Sequence, residues 1–232
     1  MLAFLLSTMR QLLTVAPVTI GLFILSLVCG AILACLLVWG RLKGPRPLRA
    51  MIRFYVFVFR GTPLLIQLFL IYYGLDQFDF VQNSLMGVML QSPFYTAVFS
   101  IALCTAAYQS EILRGGLRAV PYGEVEAGIA CGFTNIQLLR RIIVPITLRQ
   151  ALPAYSTEAI MVIKSTALAS LVSVVEITGK AQQIMLSSYK TYDVFFDAAV
   201  IYLVMAYLIS QLFKFFERCV SPQLFVQVQG AK

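Results

Sequence analysis

Five stretches of the chain hold apolar residues for long enough to cross a bilayer, a crossing that takes roughly 20 residues as a helix. Residues 12–38 run without a charge. Residues 54–75 carry Arg60 and Pro63, and a third stretch covers about residues 90–107. Residues 151–175 enclose Glu158 and Lys164, and residues 194–216 have Asp197 near their start. The pattern therefore predicts an all-α integral membrane protein of five spans. The first stretch places Ala34 before Cys35 much as a lipoprotein signal would, but it far exceeds the roughly 7–15 residues of a signal core. Apolar sequence also continues past the cysteine to Trp39, so a retained helix is expected.

Composition agrees, since 60% of the 232 residues are hydrophobic and only 12% charged. A mean hydropathy of +0.86 excludes a water-soluble globule. With so few charges, their distribution sets the orientation. The linker 41–53 holds Arg41, Lys43, Arg46, Arg49 and Arg53, the stretch 114–149 adds Arg114, Arg118, Arg140, Arg141 and Arg149, and the tail adds Lys214, Arg218 and Lys232. The opposite side has only Arg10, Lys180 and Lys190, beside Asp76, Asp79, Glu176 and Asp193. Thirteen basic residues against three place the N-terminus outside and the C-terminus inside, the parity that five spans require. Arg46 and Gly123 then face the cytoplasm, while Gln82 and Tyr189 face outward.

The basic linker is a topology determinant that also touches anionic lipid headgroups. Nucleic-acid binding is excluded, because no base-reading or aromatic residues are interleaved with these charges on a soluble face. The chain has no histidine, which removes the usual general base and most zinc and haem sites. No catalytic, metal or cofactor site is expected. Cys29, Cys35, Cys104, Cys131 and Cys219 are odd in number and form no CxxC pair, so structural disulfides are not expected either.

Between the third and fourth spans lies a polar segment too patterned to be a slack linker. Glu126 to Cys131 reads as a short helix closed by Gly132, since glycine tolerates the left-handed conformation at a helix end. A second helix follows at once: Thr134 and Gln137 stand at the spacing of a capping box, and Phe133 and Leu138 at that of a hydrophobic staple. Pro145 is expected to interrupt this helix.

The run Glu126-Ala127-Gly128, then Gly132, then Ile142, then Val144-Pro145 resembles the EAA motif of ABC-transporter permease subunits. Gly128 stands where that motif has its second alanine, and Val144 where it has leucine. The blocks 60–67, 111–116, 152–158 and 164–170 resemble those of polar amino acid permeases, most closely the M-type subunits of histidine, lysine-arginine-ornithine and opine importers. The resemblance covers about residues 12–218. It implies the type I importer (MetI-like) fold in a single permease domain over 1–232, with a coupling loop at about 115–145 and a cytoplasmic tail at about 217–232. It also implies that Glu126, Ala127, Gly128, Gly132 and Pro145 belong to the element that seats in a separate ATPase subunit, with Glu126 meeting a basic group there. Glu126 also falls in the first turn of its expected helix, where a carboxylate is favourable without any partner.

An ionisable residue inside a span marks a pathway or a pair. Glu158 and Lys164 are six residues apart and do not share a face, whereas Glu158 shares its stripe with Met161, Val162 and Ser165. The family often has an acid at the Ser165 position, which leaves Glu158 as the single carboxylate for a cationic substrate, against an interhelical pair with Arg60. Ser165, Thr166 and Gln67 are further pathway candidates. Lys164 is read as part of a structural ion pair, and Arg60 as structural only. The aromatic stretch 54–59 is expected to face lipid or the interface.

The resulting expectation is the permease subunit of a binding-protein-dependent importer in the bacterial inner membrane. It moves a polar, basic amino acid or an opine by ATP-driven alternating access. Its expected partners are two ATPase subunits, a homologous Q-type permease as heterodimeric mate, and a periplasmic solute-binding protein. The chain lacks a GxxxxGK[ST] loop and is not expected to hydrolyse ATP itself. An intramembrane enzyme lacks its convergent nucleophile and base here, and a passive channel leaves the capped cytoplasmic helices without a purpose.

Overall fold

A computed structural model describes residues 2–78, 87 and 90–220. Every regular element among them is helical. Asp79, Gln82, Lys232 and the tail from 221 onward lie outside the described residues. Helix α1, Leu2–Lys43, extends the first apolar stretch at both ends and closes with Arg41 and Lys43 in its last turn, where cations meet the negative pole of the helix. Helix α2, Arg46–Gly61, begins directly after Pro45, so most of the expected linker 41–53 is helical. This helix is amphipathic. Ile52 and Val56 turn inward while Arg46, Arg49, Arg53, Phe54 and Phe57 stay exposed.

The expected second span is broken. The run Arg46–Gly61 meets Leu64–Gly74 at 110°. Thr62 (φ −111°, ψ 147°) and Pro63 (φ −63°, ψ 133°) are both extended, because proline disfavours helical geometry in the residue before it and lacks an N–H of its own. In a bilayer the carbonyls freed by such a break need partners from the protein. Gln67 on α3, Leu64–Phe69, supplies them, its Nε2 donating to Phe59 O at 2.9 Å and Thr62 O at 3.0 Å.

Helix α4, Pro93–Arg118, runs through Gly115 and Gly116, well past the expected end at 107. A Cβ at Gly116 would stand 2.6 Å from the Thr147 carbonyl oxygen. Glycine is therefore required by the close crossing with the next long helix. After α5, Tyr122–Ala130, the short α6, Asn135–Leu138, passes through a widened π turn, Leu139–Ile143, straight into α7, Val144–Ser165. Pro145 thus does not end the helix. The Val144 N–H reaches back five residues to Leu139 O, and the widened turn gives the proline ring room where a regular turn would clash.

Beyond Ser165 the chain tightens to a 3-10 turn, Thr166–Val172, and stops at Ser173 with φ 65°. It then starts α8, Ile177–Ser188, an element the apolar pattern did not announce, bent by 50° from the preceding run. Tyr189, at φ 56°, ends α8 before α9, Thr191–Val220.

Contacts set the directions of the long helices. A Cβ at Gly21 would meet Phe94, and one at Gly30 would meet Thr105 at 3.1 Å, while Arg41 pairs with Glu111, so α1 and α4 are parallel. Small residues permit this close approach, which is how helices associate where lipid removes the hydrophobic drive. Gln109 bonds Tyr155 while Gly116 faces Thr147, so α7 runs antiparallel to α4. Leu12 and Ala16 of α1 share a core with Ile184, Val194 and Ile201 from α8 and α9.

Among the described residues three helices can span a membrane alone, and five spans result when each bent pair counts once. The directions gather Arg41, Lys43, Arg114, Arg118, Arg140, Arg141 and Arg149 at one end of the bundle.

Candidate functional site

The polar segment between α4 and α7 is built from backbone hydrogen bonds outward. Gly132 adopts φ +77°, its N–H bonds Ile129 O at 2.9 Å, and the Phe133 N–H bonds Gly128 O at 3.0 Å. Together these close α5 in a Schellman motif. The next helix starts with a complete capping box: the Thr134 N–H donates to Gln137 Oε1 at 2.8 Å and the Gln137 N–H to Thr134 Oγ1 at 3.4 Å. Arg141 lies over the Phe133 ring.

Gly128 is buried where α5 lies on this second helix. A Cβ there would sit 2.6 Å from a Leu138 methyl, 2.7 Å from one of Ile142 and 3.5 Å from the Phe133 ring. The staple residues Phe133 and Leu138 therefore both close over position 128. Helix α5 starts at Tyr122, so Glu124, not Glu126, is the acid of its first turn. Glu126 falls in the second turn, where the N-terminal dipole has faded, and both it and Ala127 are exposed. Dipole stabilisation thus does not account for Glu126. Ala127, Gly128 and Gly132 belong to one unit with it, and Pro145 stands one helical stretch further on.

The second group of expected site residues is dispersed. Glu158 is half-buried on α7, and among the described residues it makes no ion pair or side-chain hydrogen bond. Arg60, the expected alternative partner, instead lies over the Tyr108 ring, 5.1 Å from its centroid. Lys164 is exposed and forms no ion pair among the described residues, so the structural pair expected for it is not made by any of them. Ser165, half-buried on the same stripe as Glu158, donates to Met161 O at 2.9 Å. Thr166 is fully buried and donates to Ile163 O at 2.7 Å. Gln67 is tied to the corner of the second span, and its Oε1 is buried with no hydrogen-bond partner among the described residues.

Two acids have roles that the sequence reading missed. Glu176, counted above as an outward charge, is fully buried. It caps α8 by accepting the Gly179 N–H at 2.8 Å and takes the Tyr202 hydroxyl of α9 at 2.6 Å. Its only local signal is an acid three residues before a glycine at a possible helix start. Glu111 is gripped by Arg41 of α1 and Arg114 of its own helix, which ties the ends of α1 and α4 together.

Residues 26–222 match the family described as binding-protein-dependent transport system inner membrane component. The chain is 43% identical to the octopine transport system permease protein OccM of Rhizobium radiobacter, over 95% of this chain and 90% of that one. It is 38% identical to the histidine/lysine/arginine/ornithine transport system permease protein HisM of Salmonella typhimurium, over 88% of each. A crystal structure of an amino acid ABC transporter with histidines superposes with a TM-score of 0.79 at 31% identity, covering 90% of this chain and 94% of that chain. An inward-facing form of the MetNI methionine ABC transporter shares the fold, with a TM-score of 0.73 at 19% identity, over 93% of this chain and 98% of that one.

Proposed function

Because the chain belongs to the family of binding-protein-dependent transport system inner membrane components, we propose that it carries one side of an import path for a polar, basic amino acid or an opine. The chain is a permease component, and ATP hydrolysis belongs to separate ATPase subunits. Relatives named for octopine and for histidine, lysine, arginine and ornithine transport support this substrate class, since all of these ligands combine a carboxylate with a basic group. Two ATPase subunits and a homologous Q-type permease complete the assembly, and a periplasmic binding protein delivers the ligand. The basic end of the bundle faces the cytoplasm, with the N-terminus outside.

One observation carries the reading: the helix that α5 is packed against is the helix that bears Glu158. α5 rests on Leu138 and Ile142 through Gly128, and the run from Asn135 continues without a stop to Ser165. A push on the exposed face of α5, with Glu126 and Ala127, is delivered to α7. Pro145 and the π turn sit between the two. Glu158, a half-buried carboxylate with no ion pair among the described residues, meets the ligand's cationic group on this reading, with Ser165 two turns further along the same face.

Glu158→Gln keeps shape and hydrogen bonding while removing charge. The assembled complex should keep its ATPase activity, import a basic amino acid at least tenfold more slowly, and lose little uptake of a neutral one. Undiminished basic uptake, or equal loss of both substrates in a poorly assembled complex, refutes the substrate role.

A further inference from the structure

At the basic end of the bundle two adjoining cavities of about 520 and 300 Å³ open between the ends of α1 and α4 and the underside of α5. They share Leu42, Leu117 and Arg118. The larger is walled by apolar side chains, including Val125 of α5 and Leu139 and Ile143 of the π turn. The smaller is bounded by Val38 and by Arg41 and Arg114. We propose that this cleft binds an anionic glycerophospholipid, one acyl chain lying in the larger cavity and the phosphate resting on Arg118 at the mouth.

Charge complementarity selects this occupant. Arg41 and Arg114 are both engaged by Glu111, so three guanidinium groups against one carboxylate leave two positive charges around the opening. Arg118 is exposed and carries the one that Glu111 does not reach. A zwitterionic headgroup brings no net charge to such a mouth, whereas a phosphodiester with a neutral headgroup brings one negative charge. The walls offer little to a polar solute, and a cleft at the ends of two membrane helices opens where acyl chains and headgroups meet. The placement at a bilayer surface rests on the membrane reading above. Occupancy also has a consequence for coupling, because the same cavity touches α5 through Val125 and the π turn through Ile143. A chain lodged there props α5 in place from the side opposite its exposed acids.

The test uses the purified permease–ATPase complex, with ATPase association verified first. Dioleoyl phosphatidylglycerol and dioleoyl phosphatidylcholine are each titrated, and bound lipid is counted by native mass spectrometry. The wild type should retain phosphatidylglycerol over phosphatidylcholine. Arg118→Gln should lower that preference about fivefold, the effect of one basic side chain at a lipid surface, and Arg118→Lys should restore it. Val125→Phe, which fills the chain-binding part, should reduce retention of both lipids. In nanodiscs, replacing a 3:1 phosphatidylcholine–phosphatidylglycerol bilayer by pure phosphatidylcholine should lower ATPase activity in the wild type more than in Arg118→Gln. Equal phosphatidylglycerol preference in wild type and Arg118→Gln overturns the site. So does lipid binding that occurs only after the ATPase is stripped away, which would make the cleft part of the ATPase interface. Loss of ATPase association with the lipid preference intact would count against the proposed coupling role and leave the lipid site standing.

Discussion

The left-handed backbone of Gly132 offers a direct test of how α5 is held. Its φ of +77° is coupled to two hydrogen bonds, Gly132 N–H to Ile129 O at 2.9 Å and Phe133 N–H to Gly128 O at 3.0 Å. A Cβ there would meet nothing within 4 Å, so the effect of a substitution is conformational and not steric. A side chain in this region costs about 1–2 kcal/mol, with a β-branched residue at the top of that range. A penalty of about 2 kcal/mol depopulates the closed cap by roughly 30-fold. Phe133 then swings away from Gly128 and Leu138, and α5 loses its seat. Gly132→Val should therefore insert normally yet lose most substrate-stimulated ATPase activity and import, with weaker ATPase co-purification. Gly132→Asn is the matched control, since asparagine visits the left-handed region readily, and it should remain close to wild type. Reconstituted proteoliposomes allow uptake and hydrolysis to be read on the same sample. Equal behaviour of the Val and Asn variants, or normal import and ATPase retention in Gly132→Val, refutes the reasoning.

Orientation is tested in intact cells: an impermeant thiol reagent should label Tyr189→Cys and spare Gly123→Cys in a background freed of the native cysteines, and external labelling of Gly123→Cys overturns the topology. Gly116→Val drives a side chain into the Thr147 carbonyl, 2.6 Å from its Cβ. It should lower stability by about 1–3 kcal/mol, read as an earlier loss of monodisperse complex on heating, and unchanged thermal stability would deny the close crossing. Glu176→Gln turns one of two accepting oxygens into an NH2 donor, which must face either the Gly179 N–H or the Tyr202 hydroxyl, and should destabilise by about 1–3 kcal/mol. Tyr202→Phe should cost less stability in the Glu176→Gln background than in the wild type, and equal costs would show that the two groups are not coupled.

What could be read in advance was mostly what is decided within a few residues. The Gly132 cap and the Thr134–Gln137 box depend on neighbours in sequence, and both are present as expected. Long apolar stretches announced α1, α4, α7 and α9 for the same reason, although their polar ends were cut short. Arg41 and Arg114 look like the edges of spans until Glu111 is seen to hold both inside helical structure. Pro63 and Pro145 show why prolines mislead. The apolar run around Pro63 is long enough to suggest one span, yet the chain turns there by 110°. Pro145 has the look of a terminator, but a widened turn absorbs it. Glu176 was beyond local reading, because its burial is decided by Tyr202, 26 residues away. For Glu158 the sequence indicated an unusual charge, and the geometry adds that among the described residues it forms no ion pair, Arg60 lying over the Tyr108 ring.

The distribution of helix breaks bears directly on the proposed coupling through α5. Breaks at Thr62–Pro63 and Ser173 lie on either side of the helical run from Asn135 to Ser165, which continues through the π turn and through Pro153 inside α7. From Ile142, under α5, to Glu158 this run spans roughly 24 Å at 1.5 Å per residue. The π turn within it widens the helix without opening it, so the rod stays continuous while its two halves take the rotation that Pro145 demands. Its far end leads through the 3-10 turn and Ser173 into α8, whose start is fixed to α9 by Glu176 and Tyr202. On the proposed coupling, a displacement of α5 meets this continuous helix first, with one backbone hydrogen bond missing at Pro153, and the joint at Ser173 afterwards.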